Sequence, residues 1–422
     1  MHSVTNAIPT GTIASIPAKA HAHRALICAA LATSPSTILL SRTSKDIDAT
    51  MDSLRGLGAH VVYENKIVTV TPGPAPAKGN VVPHESGTTL RLLLPVAASI
   101  CNDVDVDAKG RLPDRPLEPM LGEMKAHGVT FSQDKPPFTM TGRLQGGQFS
   151  MVGDVSSQFF SGLLLAAPQI GLSTITSTTP LQSSDYVTLT TETMRDFGVE
   201  VEHTLPDTDI NEAFTVPFGA SFIGRDNYQI EGDWSNAAIW MVAAGMTGKP
   251  ITITGMNKNS VQADRRIMQV MIDAGCDVLW DGMNVTVTGR ASKPIHADLE
   301  QMPDMLPVMA ALACSIQGES SFIKGARLRL KESDRLVAVA NLVRDLGGTV
   351  REDGDDLYII GSGILKGGHG DCVNDHRLVM AGTLMALISE SPVTLKDSEA
   401  ITKSYPDFFE DWNLLGGNAQ LV

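Results

Sequence analysis

The sequence is poor in the features that mark several large classes of protein. Aromatic residues make up 5% of its 422 positions, and 33 Lys and Arg stand against 47 Asp and Glu, for a formal net charge of −14. A chain this acidic lacks the basic surface that grips nucleic-acid phosphates, so cations that cluster in it serve a small anionic ligand. Cysteine is scarce and unpatterned. Cys28, Cys101, Cys276, Cys314 and Cys372 are odd in number and form no CxxC pair. That argues against a disulfide framework or a zinc site and points to a reducing compartment, the cytoplasm. No apolar run has the length needed to cross a bilayer. The apolar stretch 24–32 follows strand-like residues without a basic leader region, so it reads as part of the fold and not as a targeting signal.

What is present is apolar material for more than one core. Hydrophobic residues reach 43% and charged residues 19%, over a length that predicts two domains. An internal repeat organises them. Six times a segment with helical apolar spacing ends in glycine and runs into strand-like residues. The glycines are Gly58, Gly128, Gly198, Gly275, Gly347 and Gly416, between 69 and 77 residues apart. An earlier helix in each unit is apolar nearly all round and therefore buried: 25–32, 90–98, 159–167, 237–244, 306–313 and 378–388. Strands follow, as at 37–40, 173–176, 251–254, 320–323 and 393–395. Asp281-Gly282 and Asp353-Gly354 mark hairpin turns. Each unit reads helix, strand, helix, strand, strand. Six units split into three and three, with a crossover at 225–230.

The starts of the buried helices share a chemistry. They carry Lys19-Ala20-His21-Ala22-His23-Arg24, Glu85-Ser86-Gly87-Thr88-Thr89, Ser156-Ser157-Gln158, Asp233-Trp234-Ser235-Asn236, Met302-Pro303-Asp304 and Asn374-Asp375-His376-Arg377. A helix start presents unpaired N–H groups and the positive end of the dipole, so several gathered on one face attract anions whatever the net charge. Arg111, Arg115, Lys331, Arg335 and Lys403 add cations nearby. Lys331 and Arg335 are four apart, which on a helix places them on one face. Singly, each is as well explained by a solvated or ion-paired side chain, Asp304 by an N-cap and Glu332 by a first-turn acid. Their recurrence at equivalent points of the units is what favours a site.

Four of these motifs, ESGTTLR (85–91), GDVSSQF (153–159), LKESDRL (330–336) and NDHR (374–377), occur in the order found in 3-phosphoshikimate 1-carboxyvinyltransferases, the EPSP synthases. The whole chain resembles that family, collinearly from Lys19 to Lys403. The resemblance implies an inside-out α/β barrel of two domains, each of three repeated units with helix starts facing the interdomain cleft. One domain would span 17–229 and mainly bind shikimate 3-phosphate. The other, 1–16 plus 230–422, would mainly bind phosphoenolpyruvate and hold the acid and base. It also implies no metal, no organic cofactor, no nucleic acid or membrane partner, and a monomer.

By motif, Lys19, Arg24, Ser156, Ser157, Gln158, Ser183, Tyr186, Asp304 and Lys331 would bind shikimate 3-phosphate. Lys19, Gly87, Arg115, Gln158, Arg335, Arg377 and Lys403 would bind phosphoenolpyruvate. Asp304 would act as base, Glu332 beside Lys331 as acid, and Lys19 would serve both substrates. Three positions depart from the family's commoner residues: Ala20 for serine, His23 for asparagine and Arg327 for asparagine. They predict weaker or rearranged binding on the shikimate side, with His23 or Arg327 compensating. Gly87 leaves room for the inhibitor glyphosate. Two alternatives remain at this stage. One is the sister transferase acting on a UDP-aminosugar, although 110–116 lacks that family's loop cysteine. The other is a silent paralogue that binds phosphorylated metabolites without turnover.

Overall fold

A computed structural model describes residues 1–207 and 211–422. The chain divides into two compact units. Pro17–Ile230 forms one, and Met1–Ile16 with Glu231–Val422 forms the other.

Each unit contains three four-stranded sheets of one design. In one of them the order is Gly79–Val81, Asp103–Val106, Phe138–Thr141, Thr130–Phe131. The first pair is parallel and the others antiparallel. A parallel neighbour requires a crossover, and the buried helix Gly87–Ile100 supplies it. The sheet beginning with Gln148–Met151 and the one beginning with His296–Asp298 repeat the pattern. The short parallel edge strand in each is the element the sequence pattern did not reveal. Three or four residues give too little alternation to register.

The other three sheets are completed by strands from distant parts of the chain. Tyr228–Gln229 lies parallel to Ser36–Leu39, and Gly11–Ala14 lies parallel to Ile251–Thr254. His2–Val4 inserts between Val393–Lys396 and Ala419–Leu421. The two passages between units therefore each leave a strand behind, one in either unit.

The six terminal glycines have φ between 86° and 104°, the left-handed region that ends a helix cheaply only without a Cβ. The buried helices are Lys19–Ala30, Gly87–Ile100, Ser157–Ile170, Trp234–Thr247, Leu306–Cys314 and His376–Met385. They form the cores of their units; Leu90, Leu93, Phe160, Leu164, Ala238, Val242, Met309 and Leu312 are wholly or almost wholly buried. Burying one such side chain contributes roughly 1.5–3 kcal/mol. The first helix differs from expectation in one respect. It begins at Lys19, so Lys19 to Arg24 form its opening turns instead of preceding it. Among the described residues, no helix is long and apolar enough to cross a membrane.

Candidate active site

The candidate side chains fall into two clusters, one in each unit. In Pro17–Ile230 the helix starts converge. Ser86 and Ser156 cap their helices, accepting from the Thr89 and Gln158 amides at 3.2 and 3.3 Å. Gln158 joins the two starts: its amide donates to Thr88 Oγ1 at 2.9 Å, and its carbonyl accepts from Arg91 at 3.1 Å. Ser157 is buried beside it. Lys19 Nζ pairs with Asp46 at 2.8 Å, both side chains remaining partly exposed. Arg115 lies flat against Gly87, where an added Cβ would sit 2.7 Å from its Nη1. Glycine there is what lets a guanidinium approach a helix start so closely.

Arg24 is placed differently from a surface ligand. It is 1% exposed and donates to Thr190 Oγ1, Ala20 O, Ser161 Oγ and Tyr186 O at 2.7 to 3.2 Å. Burial pulls its guanidinium down to about 10. It thus ties the first helix to Asp185–Asp196, whose first turn carries Tyr186. Ser183, just before that helix, is buried with φ +54°, a conformation serine adopts at a cost of about 1–3 kcal/mol. Of the unusual residues, His23 is fully buried against Thr50, and Ala20 contributes its carbonyl to Arg24.

The other unit holds a cluster of alternating charge. Asp304 Oδ1 accepts from Lys331 at 3.1 Å and from Arg335 at 2.8 Å, and its Oδ2 from Arg377 at 3.4 Å. Arg335, 1% exposed, also meets Glu332 at 2.6 Å and Asp375 at 2.9 and 3.2 Å. Asp375 caps the helix His376–Met385 through the Arg377 amide and accepts from Ser333 at 3.0 Å. Burial works against the Asp304 charge, yet Lys331, Arg377 and Arg335 hold its carboxyl well below the ordinary value. Burial lowers the Lys331 ammonium, against the pull of Asp304. Lys403 Nζ donates to the carbonyl of Asn374 at 2.8 Å, which a turn with Val373 and Asn374 both at positive φ presents to it.

Two local expectations are corrected here. Lys331 and Arg335 do not share a helix face. Asp334 caps the helix Arg335–Asp345, accepting from the Val337 amide, so Lys331 to Ser333 lie before it. The two cations still meet, at Asp304. Asp304 in turn is no N-cap: it sits in the short turn Pro303–Met305 with no side-chain cap bond and directs its carboxylate at the cations.

Two carboxylates of the cluster escaped the sequence reading as functional groups. Asp375 was visible only as part of NDHR. Asp264 is 1% exposed and accepts from Ser235 Oγ at the start of the fourth buried helix. Burial raises its carboxyl to about 6, with Arg377 opposing and Asp304 adding to the rise. The QAD sequence after a strand gave no cue beyond a buried acid.

Fold and clusters together define a two-unit α/β protein whose helix starts carry lysine, arginine and serine side chains suited to small anions. Two solved EPSP synthase structures from Acinetobacter baumannii have this fold. They match with a TM-score of 0.80 over 100% of this chain and 99% of theirs, at 23% and 22% identity. The chain is 36% identical over 412 residues to the 3-phosphoshikimate 1-carboxyvinyltransferase of Clostridium kluyveri, covering 96% of this chain and 95% of that one. It is 34% identical over 417 residues to that of Methanocorpusculum labreanum, covering 97% of each. The model for EPSP synthase (3-phosphoshikimate 1-carboxyvinyltransferase) matches residues 7–412. The chain belongs to the EPSP synthase family.

Proposed function

We propose that the chain transfers the enolpyruvyl group of phosphoenolpyruvate to the 5-hydroxyl of shikimate 3-phosphate, releasing phosphate. One observation carries the assignment of the chemistry: Lys331, Arg335 and Arg377 converge on the single carboxylate of Asp304. Arginine suits the two-pronged grip of phosphate or carboxylate, and phosphoenolpyruvate carries both. Arg335, Arg377 and Lys403 with Gly87, Arg115, Gln158 and Lys19 bind it. Shikimate 3-phosphate is assigned to Lys19, Ser156, Ser157, Gln158, Ser183 and Tyr186, with Arg24 bracing that side, and to Asp304 and Lys331.

The cluster is close to charge balance, so an arriving anion competes with Asp304 for its cations. As phosphoenolpyruvate takes over Arg335 and Arg377, Asp304 loses the charges that suppress its proton affinity. It becomes a competent base for the acceptor hydroxyl only when the second substrate is in place. Glu332, protonated once phosphoenolpyruvate displaces it from Arg335, delivers that proton to the methylene carbon as the hydroxyl oxygen bonds to C2. The resulting carboxylate takes back a methyl proton as the C2–phosphate bond breaks, which forms the enol ether and frees phosphate. The cations stabilise the departing charge.

Phosphate release from phosphoenolpyruvate tests the reading, with shikimate 3-phosphate and separately a UDP-aminosugar as acceptor. Release with shikimate 3-phosphate alone is expected. Release only with the nucleotide, or with neither acceptor, would overturn it. The five cysteines are buried, and none lies in 110–116, which weighs against the aminosugar transferase. We further expect a cytoplasmic monomer, which sedimentation of the purified protein at working concentration tests.

A further inference from the structure

His23 stands where the family's commoner residue is asparagine, and the structure gives it a partner chain of its own. Its Nδ1 lies 2.6 Å from Thr50 Oγ1, and Thr50 Oγ1 lies 2.7 Å from Thr89 Oγ1. Thr89 Oγ1 donates to Ser86 Oγ at 2.8 Å and lies 3.3 Å from the carbonyl of Asp46. His23, Thr50, Thr89 and Ser86 are each at most 1% exposed, so no bulk water competes for these bonds.

The direction of the chain follows from proton counting. Thr89 has one hydroxyl proton and commits it toward Ser86 and Asp46. Thr50 must then donate to Thr89, and its oxygen is left to accept from His23 Nδ1–H. The imidazole is held neutral: burial, then Lys19 and Arg24, keep it well below its ordinary value. Its proton is therefore on Nδ1, and Nε2 is a buried lone pair without a hydrogen-bond partner. Every donor in the series points from His23 to Ser86, and Ser86 is the cap of the helix that begins at Gly87.

We propose that His23 is a positioning residue for phosphoenolpyruvate: its Nδ1–H, relayed through Thr50 and Thr89, fixes the Ser86 cap and so the Gly87 backbone and the Arg115 guanidinium resting on it. The relay crosses from the helix bearing Lys19 to the helix bearing Gly87, and its Thr89 branch reaches Asp46, the partner of Lys19. It sets the phosphoenolpyruvate side without touching substrate. This rests on the assignment of Gly87 and Arg115 to phosphoenolpyruvate.

Steady-state kinetics of His23→Asn, His23→Gln, His23→Ala and Thr89→Val test it, alongside Arg377→Lys in the other unit. Asparagine places an N–H near the position of Nδ1, and glutamine does not. His23→Asn should keep the phosphoenolpyruvate KM within about twofold, while His23→Gln and His23→Ala raise it about three- to tenfold, the scale of one lost buried hydrogen bond. The shikimate 3-phosphate KM should stay within about twofold in all three. Thr89→Val should raise the phosphoenolpyruvate KM similarly, and combining it with His23→Ala should add little, because both cut one chain. Thermal unfolding of each variant separates this from general loss of structure. Equal behaviour of His23→Asn and His23→Gln, or additive effects, would overturn the relay. If Arg377→Lys raises the phosphoenolpyruvate KM and His23→Ala does not, the relay alone is wrong. If neither does, the substrate assignment beneath it is wrong as well.

Discussion

Replacing Asp304 with asparagine should separate binding from chemistry in opposite directions. The Asp304 carboxylate meets Lys331, Arg335 and Arg377 at 2.8 to 3.4 Å and offsets their charge. A ligand anion seated on those cations lies within roughly 5 Å of the carboxylate, where one pair of like charges at an effective dielectric of about 20 repels by about 3 kcal/mol. Asp304 is 19% exposed, so solvent and salt reduce this to about 1–2 kcal/mol. Asp304→Asn should therefore tighten phosphoenolpyruvate binding about five- to thirtyfold. Turnover should fall by at least about 10²-fold through loss of the base. Calorimetric titration with phosphoenolpyruvate, with and without shikimate 3-phosphate, reads the first effect; phosphate release reads the second. The pH sense is fixed by the lowered carboxyl. Asp304 favours the folded state above its unfolded value of 3.8, and that contribution is lost only as pH falls below it through the folded value. The tightening should accordingly persist throughout the neutral range. Weaker or unchanged phosphoenolpyruvate binding in a folded Asp304→Asn protein would refute the competition argument.

Three more outcomes follow from named contacts. Asp264 has a raised carboxyl, so it binds protons more tightly folded than unfolded, and its contribution to stability is lost as pH rises from 3.8 to about 6. Asp264→Asn should flatten that slope by an amount on the order of 2–3 kcal/mol, read from thermal unfolding across this window; an unchanged pH profile would contradict it. Gly87→Ala puts a methyl 2.7 Å from Arg115 Nη1, and because that side chain can swing away the fold should survive. The phosphoenolpyruvate KM should rise about three- to tenfold and glyphosate inhibition weaken; unaltered values for both would exclude a tight seat at Gly87. Gly361→Ala meets the carbonyl oxygens of Ile316 and Ala313 at 2.0 and 2.1 Å, backbone atoms that cannot yield. A loss of about 3 kcal/mol or more is expected in urea unfolding, and a loss under about 1 kcal/mol would show that the end of the strand Asp356–Gly361 can adapt.

The parts of this molecule that were readable in advance are those with a period. Six left-handed glycines spaced by one unit length, and apolar helices between them, locate the repeats without any contact information. The hairpins at Gly282 and Gly354 are equally local, both with positive φ. Strand exchange is not local: nothing in Gly11–Ala14 or Tyr228–Gln229 says which sheet will take it, since both are short and flank the crossings. At the site, the cations and the Asp304 and Glu332 carboxylates were identifiable by type and motif, whereas which of them would pair was not. Asp334 moved the helix start by capping it, which removed Lys331 from the helix. Nothing in the sequence joined Thr50 to Thr89, because a hydroxyl that bonds across helices leaves no trace in the spacing along either one. Buried acids such as Asp264 acquire their chemistry only from what packs around them.

The insertion of His2–Val4 between Val393–Lys396 and Ala419–Leu421 sets an order of events during synthesis. His2–Val4 has no sheet to join until Val393–Lys396 and Ala419–Leu421 have been made, while Pro17–Ile230 can complete itself long before. During synthesis that strand therefore waits unpaired while residues 17–230 fold. The Met1 amine ends 3.4 Å from the Val422 carbonyl. A short peptide joining those ends, with new termini opened in a surface turn of Glu231–Val422, would deliver that strand together with its neighbours and shorten the wait.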